Sequence, residues 1–268
     1  MTDEIAEAFV AFAEALSPTE AQSAARESEK RRLVSRLLGH PRVLRVHETG
    51  SFAHGTAVEG HSRVDLLVVL DGPRPRTSAK ALESVSSVVV PPGFELRAAF
   101  AAGEERASSG ASDLLWIADA AGRWVRHRPG SRELLISRID TDGSLRSLIR
   151  LLLAWKHRHG LALSSYYLET AAIRQALQQP SFSTLWDVCW LWERLAADGL
   201  PALPDLTSPS QVQPVRPSPT LAKAIELQFP LERAASSARR AVNAYLDGDL
   251  DQASAALRAL FGEDFPEL

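Results

Sequence analysis

The stretch Val64 to Leu70 reads V-D-L-L-V-V-L, an apolar run with a single carboxylate, Asp65, near its start. A short apolar run bounded by turn signals is expected to form a strand buried in a sheet. It follows a shorter apolar lead, Val43 to Val46, a turn at Gly50 and Ser51, and a small polar loop. Strand, Gly-Ser turn, loop and acidic strand therefore succeed one another within less than thirty residues, about the length of a single supersecondary unit.

A Gly-Ser turn followed about a dozen residues later by a carboxylate on a buried strand resembles the core of polymerase-β-type nucleotidyltransferases. Within that superfamily the stretch Glu48 to Leu70 is similar to the cyclic-GMP-AMP-synthase-like and oligoadenylate-synthetase-like enzymes of bacterial anti-phage signalling. The resemblance implies that the turn amides at Gly50 and the Ser51 hydroxyl hold a triphosphate. It also implies that strand carboxylates hold two divalent ions, Mg2+ or Mn2+, which align the attacking hydroxyl, the α-phosphate and the leaving group.

One position departs from the pattern. Where the family has Asp-x-Asp, this chain has Arg63-Val64-Asp65. Residues i and i+2 of a strand point to one face, so Asp-x-Asp would present two carboxylates to one metal pair. Arginine there replaces a ligand with a cation that stays protonated, and Arg63 is expected to pair with Asp65 and fill the metal site. The third family carboxylate lies on the next strand, Phe94 to Phe100. Counting back from Ala99-Phe100 places Glu95 there, and a shift of two places Arg97; Glu95 is preferred, with a solvent-facing residue on an edge strand as the bland alternative.

Composition bounds the rest. The chain has 268 residues, a net charge of −3 and 45% hydrophobic residues. That suits one large domain or two fused ones, and lacks the basic excess of a general nucleic-acid binder. The single cysteine, Cys189, excludes an internal disulfide and a multi-cysteine zinc site, and a reducing cytoplasm is expected. No membrane span and no signal peptide are expected. No internal repeat is present.

Helical spacing predicts a helix over Asp3 to Leu16 (Ile5, Phe9, Phe12, Leu16). A second is expected up to Leu38, with Ser17 as cap, Pro18 at the first position and Glu20 closing a capping box. A helix over Ser78 to Val88, a loop over Ala101 to Ser112 and a strand over Leu114 to Ile117 follow. The segment Gly122 to Pro129 sets four cations or near-cations around Trp124. It reads either as a base-stacking, phosphate-holding patch or as a solvated turn with Trp124 packed beneath it.

Leu145 to His159 and the helix after Ser164 resemble the family's C-terminal helical half, whose Leu-Leu-Lys-x-Trp phrase carries a phosphate-reaching lysine. Leu153 stands at that lysine's position. Tyr166, Tyr167 and Glu169 match the following family helix, and the tyrosines read as core packing. Phe182 to Ala197 reads as an aromatic-rich core helix enclosing an inert thiol at Cys189. Leu200 to Pro219 is irregular, with six prolines. Helices over Leu221 to Ile225 and Leu231 to Leu246 precede the ending Ala253 to Pro266, which is similar to the family's own.

The resemblance thus implies an α+β protein with a mixed-sheet nucleotidyltransferase lobe, residues 1–140, and a helical lobe, residues 141–268. Asp65 and Glu95 are the remnant catalytic and metal-ligating residues, and Gly50, Ser51 and Arg63 the nucleotide-binding ones. The losses at positions 63 and 153 imply a catalytically impaired protein acting as a nucleotide-binding sensor or regulatory partner. An ATP- or GTP-like nucleotide and a protein such as an active homologue or effector are the expected partners. The alternative is an active enzyme making a cyclic or linear oligonucleotide from nucleoside triphosphates with a rearranged metal site.

Overall fold

A computed structural model of the chain describes residues 2–102, 114–119, 122–179, 181–211, 213–218 and 220–268. The fold is α+β and comprises two compact units that alternate along the sequence. One is built on a sheet and takes Pro18–Leu135 and Asp205–Gln213. The other is mainly helical and takes Met1–Ser17, Ile136–Pro204 and Pro214–Leu268. Its first helix, α1 (Thr2–Ala15), buries the stripe Ile5, Phe9 and Phe12.

The sheet unit opens on α2 (Glu20–Leu38). Its cap is Thr19: the hydroxyl accepts from the Gln22 amide at 3.3 Å and the Gln22 side chain accepts from the Thr19 amide at 2.7 Å. This reciprocal pair satisfies two helix-end donors and corrects the expectation of Ser17 and Glu20. Ser17 is already engaged at the end of α1, where its hydroxyl donates to the Ala13 carbonyl at 2.9 Å.

After α2 come β1 (Val43–Thr49), the short helix α3 (Gly50–His54), β2 (Val64–Leu70), a 3-10 helix (Ser78–Val85), β3 (Phe94–Ala101), β4 (Leu115–Ala118) and β5 (Trp124–His127). The segment expected as a helix over Ser78 to Val88 is thus 3-10 and ends sooner. From residue 103 onward, the loop expected over Ala101 to Ser112 lies outside the described residues.

The sheet runs in sequence order, with β2 antiparallel to β1 and parallel to β3, and β3, β4 and β5 antiparallel in turn. On one face Val64, Leu66, Val68 and Leu70 pack with Phe94, Ala98 and Phe100 against Leu33 and Leu37 of α2. On the other, Leu67 and Val69 pack with Ala99 and Leu115. Burial on both faces explains why β2 is apolar without alternation. A slip of one residue would turn Asp65 into the α2-facing core, where each buried Leu or Val now contributes about 1.5–3 kcal/mol. The register is therefore strongly held.

α4 (Ser131–Ile139) carries the chain into the helical unit, which holds α5 (Ser144–Arg158), α6 (Ser165–Ala176) and α7 (Thr184–Ala197). A short ladder of β6 (Leu203–Asp205) and β7 (Gln213–Val215) interrupts the proline-rich stretch expected to be irregular. α8 (Leu221–Glu226), α9 (Gln228–Leu246) and α10 (Leu250–Phe261) complete the chain.

Asp140 accepts from the amides of Leu145 and Arg146 at 2.8 and 3.2 Å and so holds the start of α5. The Ser164 hydroxyl caps α6 by accepting from the Tyr167 amide. Tyr167 is fully buried, with its hydroxyl donating to the Pro201 carbonyl at 2.9 Å. Trp155 of α5 meets Trp192 of α7 at 4.3 Å between ring centroids. Phe9 and Phe12 interlock with Phe261 and Phe265, with centroids 5.1–6.2 Å apart. No helix among the described residues is long and apolar enough to cross a membrane.

Candidate functional site

The sheet unit gathers Gly50, Ser51, Arg63, Asp65 and Glu95 near the N-terminal ends of β2 and β3. β1 ends opposite the start of β2, with Thr49 paired to Asp65. The chain then turns at Gly50, whose φ of +75° is a left-handed conformation open to glycine. A Cβ at Gly50 would stand 2.2 Å from Oδ2 of Asp65. The carboxylate therefore lies directly against the turn backbone, and only glycine leaves room for it.

α2 braces this turn from behind. Arg26 pairs with Glu59 at 2.9 Å and sets its guanidinium over the Phe52 ring at 5.1 Å, and Lys30 pairs with Glu48 of β1. Ser51 is half-buried at the start of α3, and its carbonyl accepts from the Thr56 amide at 2.8 Å.

Asp65 and Glu95 are register partners on the parallel strands β2 and β3, so their side chains leave the sheet on one face. Arg97, two residues along β3, shares that face. Its Nη2 lies 3.2 Å from Oε1 of Glu95 and 3.6 Å from Oδ1 of Asp65. Arg63 instead approaches Glu95, with Nη1 3.8 Å from Oε2.

The sequence-based pairing of Arg63 with Asp65 is thus corrected: Arg97 stands beside Asp65, and Arg63 beside Glu95. Arg63 precedes the first residue of β2, whereas Arg97 is fixed by the β2–β3 register next to Asp65. β3 runs between β2 and β4, but its ladder with β4 covers only Ala99–Ala101, so Glu95 pairs with β2 alone and its side chain is 41% exposed. Both candidates from the sequence count, Glu95 and Arg97, belong to the same charge cluster.

Among the described residues no group of three or more His, Cys, Asp or Glu side chains is arranged to hold a metal ion. The donor set at this point is two carboxylates already paired with guanidinium groups. As arranged, it does not fit a pair of divalent ions, which need several oxygen ligands free to coordinate.

Leu153 is buried within α5 at 1% exposure and supplies packing, not charge. The nearby lysine of that helix is Lys156, which donates to the Ser165 hydroxyl at 2.7 Å.

The region around Trp124 is strand β5 and not a solvated turn. Trp124 packs edge-on to Phe100 at 5.4 Å and donates its indole N–H to the Pro75 carbonyl at 2.9 Å. Arg123 pairs with Asp119 at 2.6 Å. Arg74 and Arg126 lie over the Trp116 ring at 4.2 and 5.4 Å. The aromatic faces here are occupied by the protein's own arginines.

A second polar cluster in the sheet unit went unread in the sequence. Arg132 and Asp205 form an ion pair at 3.3 Å with side chains only 3% exposed. Asp205 also accepts from the amide and hydroxyl of Thr207 at 2.9 and 2.6 Å. His54 is buried nearby, and burial pushes the half-buried His127 down to about 4. Asp205 works against that shift, while Arg132, His54 and His47 add to it. A single acid inside a proline-rich stretch gives little sequence signal of such a role.

Comparison with protein-family profiles and with curated proteins finds no match for this chain. Solved structures do match over nearly its whole length. CdnC of E. coli MS115-1, solved with ATP, is 14% identical over 97% of this chain and 98% of its own, with a TM-score of 0.74; it is also solved in complex with HORMA-deltaN. The CD-NTase CdnG of Bradyrhizobium diazoefficiens, in complex with GTP, is 13% identical over 96% and 94%, with a TM-score of 0.62. The Vibrio cholerae cyclic AMP-GMP synthase DncV, with the linear intermediate 5'-pppA(3',5')pG, is 15% identical over 83% and 69%, with a TM-score of 0.58. The shared property is the fold, a mixed sheet together with a helical part, as in these bacterial structures.

Proposed function

We propose that this chain is a nucleotidyltransferase-fold protein of the bacterial cyclic-oligonucleotide signalling kind whose catalytic centre is impaired. It serves as a nucleotide-binding sensor or as a regulatory partner of another protein. The observation that carries this reading is the Arg97 guanidinium, set against both Asp65 and Glu95. Nucleotidyl transfer in this fold relies on divalent ions that stabilise both the attacking and the leaving oxygen. Here the acids that would hold them are neutralised by the protein's own cations.

In this reading Asp65 and Glu95 are catalytic remnants, and Gly50, Ser51 and Arg63 face a nucleotide. The loss of a lysine at Leu153 supports the same conclusion from the helical unit. ATP in the CdnC structure and GTP in the CdnG structure support an ATP- or GTP-like ligand. The CdnC complex with HORMA-deltaN supports a protein partner, such as an effector or an active homologue.

The test is a product assay. The purified protein is given the four nucleoside triphosphates with Mg2+ or Mn2+, and products are resolved by chromatography. Little or no product is expected, since losing metal clamps worth several kcal/mol costs several factors of ten at about 1.4 kcal/mol each.

A second reading keeps an active enzyme making a cyclic or linear oligonucleotide at a rearranged site. It is favoured by one fact: Asp65 and Glu95 remain level on neighbouring strands, so an ion displacing Arg97 would meet two carboxylates. Robust turnover abolished by Asp65→Asn would establish it in place of the first.

A further inference from the structure

The cations that neutralise the carboxylate pair are themselves open to solvent. The Arg63 and Arg97 side chains are 66% and 49% exposed, against 19% for Asp65. Their contacts are also loose. Arg63 to Glu95 at 3.8 Å and Arg97 to Asp65 at 3.6 Å are ion pairs beyond hydrogen-bond distance, and only Arg97 to Glu95, at 3.2 Å, is within it. A guanidinium has five N–H donors in a planar fork. Both arginines therefore keep donors for an anion arriving from solvent.

We infer that Arg97 and Arg63 make a metal-independent site for the polyphosphate of a nucleoside triphosphate. The two guanidinium groups take over the charge that a divalent ion would otherwise bring. The inference rests on the reading of this centre as an impaired transferase, and it names the ligand form: the free triphosphate and not its magnesium chelate.

The exposure of the four groups favours that form. Arg63 and Arg97 are 66% and 49% exposed, against 41% for Glu95 and 19% for Asp65, so a divalent ion arriving from solvent meets the positive groups first. A free triphosphate instead presents planar arrays of oxygens to which an arginine fork is matched. Magnesium bound to those oxygens withdraws the charge and lone pairs that the arginines would use. Asp65 and Glu95 limit the affinity by repulsion, yet they also hold the two guanidinium groups in place.

The test is titration calorimetry with ATP, GTP and inorganic triphosphate, each in EDTA and in excess magnesium. Binding in EDTA is expected to equal or exceed binding in magnesium. Arg97→Ala should raise the Kd in EDTA about tenfold, the loss of one charge-assisted contact, and Arg97→Lys should fall between. A requirement for magnesium, an unchanged Kd in Arg97→Ala, or no binding of any of the three probes overturns the inference. The EDTA and magnesium arms use the unaltered protein, so they decide the matter even if a variant folds poorly. Product formation in the assay above overturns the catalytic reading by a separate readout.

Discussion

The Asp65 carboxylate lies so close to the Gly50 backbone that a Cβ there would come within 2.2 Å of its Oδ2. The turn and the acid are one packing unit. Gly50→Ala should therefore lose stability twice: about 1–2 kcal/mol from the left-handed backbone, and more from displacing the carboxylate. Urea denaturation of Gly50→Ala, Asp65→Ala and the double variant should show partial rescue in the double, because the clash is gone while the backbone strain remains.

Restoring acidity should restore metal binding. In Arg63→Asp with Arg97→Ala, three carboxylates would stand together without either arginine, and their repulsion is relieved by a divalent ion. Magnesium should then raise the melting temperature by mass action, while leaving the unaltered protein nearly unmoved. An equal gain in both proteins would show that the native cluster already accommodates the ion.

The Arg132–Asp205 pair should be costly to break. Both side chains are 3% exposed, and removing one partner leaves a buried charge uncompensated. Arg132→Met or Asp205→Ala is expected to cost about 3–5 kcal/mol, read by urea denaturation. A loss below about 1 kcal/mol would mean that water reaches the pair.

Stability should fall on acidification through His127. Its folded value of about 4 lies below the ordinary 6.5, chiefly because burial disfavours the charged ring. Between those values the unfolded chain takes up a proton that the folded one refuses, so stability declines as pH drops from 6.5 toward 4. In His127→Asn the difference in stability between pH 7 and pH 5 should shrink.

Cys189 should be chemically silent in the native protein. It is fully buried, and desolvation with the nearby Glu193 pushes its thiol up to about 11, far from the reactive thiolate. Iodoacetamide followed by mass spectrometry should label it only after denaturant is added.

What the sequence made legible follows from local physics. Val64 to Leu70 announced β2 because burial on both faces leaves an apolar run, and Leu145 to Trp155 announced α5 by its spacing. The charge partner of Asp65 was less accessible. Arg63 is a neighbour in sequence, but Arg97 becomes one only through the β2–β3 register, and periodicity does not report a register. Arg132 and Asp205 stand 73 residues apart, so no local pattern joins them. Trp124 was ambiguous for a related reason: Phe100, the ring it packs on, belongs to another strand.

The interlock of Phe9 and Phe12 with Phe261 and Phe265 has a consequence for synthesis. α1 leaves the ribosome about 250 residues before Phe261 and Phe265, two of the rings that cover it. Domains tend to close as their own residues become complete. The five-stranded sheet is complete by His127, long before α10 can close over the α1 stripe. The nascent chain therefore carries α1 with part of its apolar stripe uncovered until α10 emerges, and that packing settles after the sheet's.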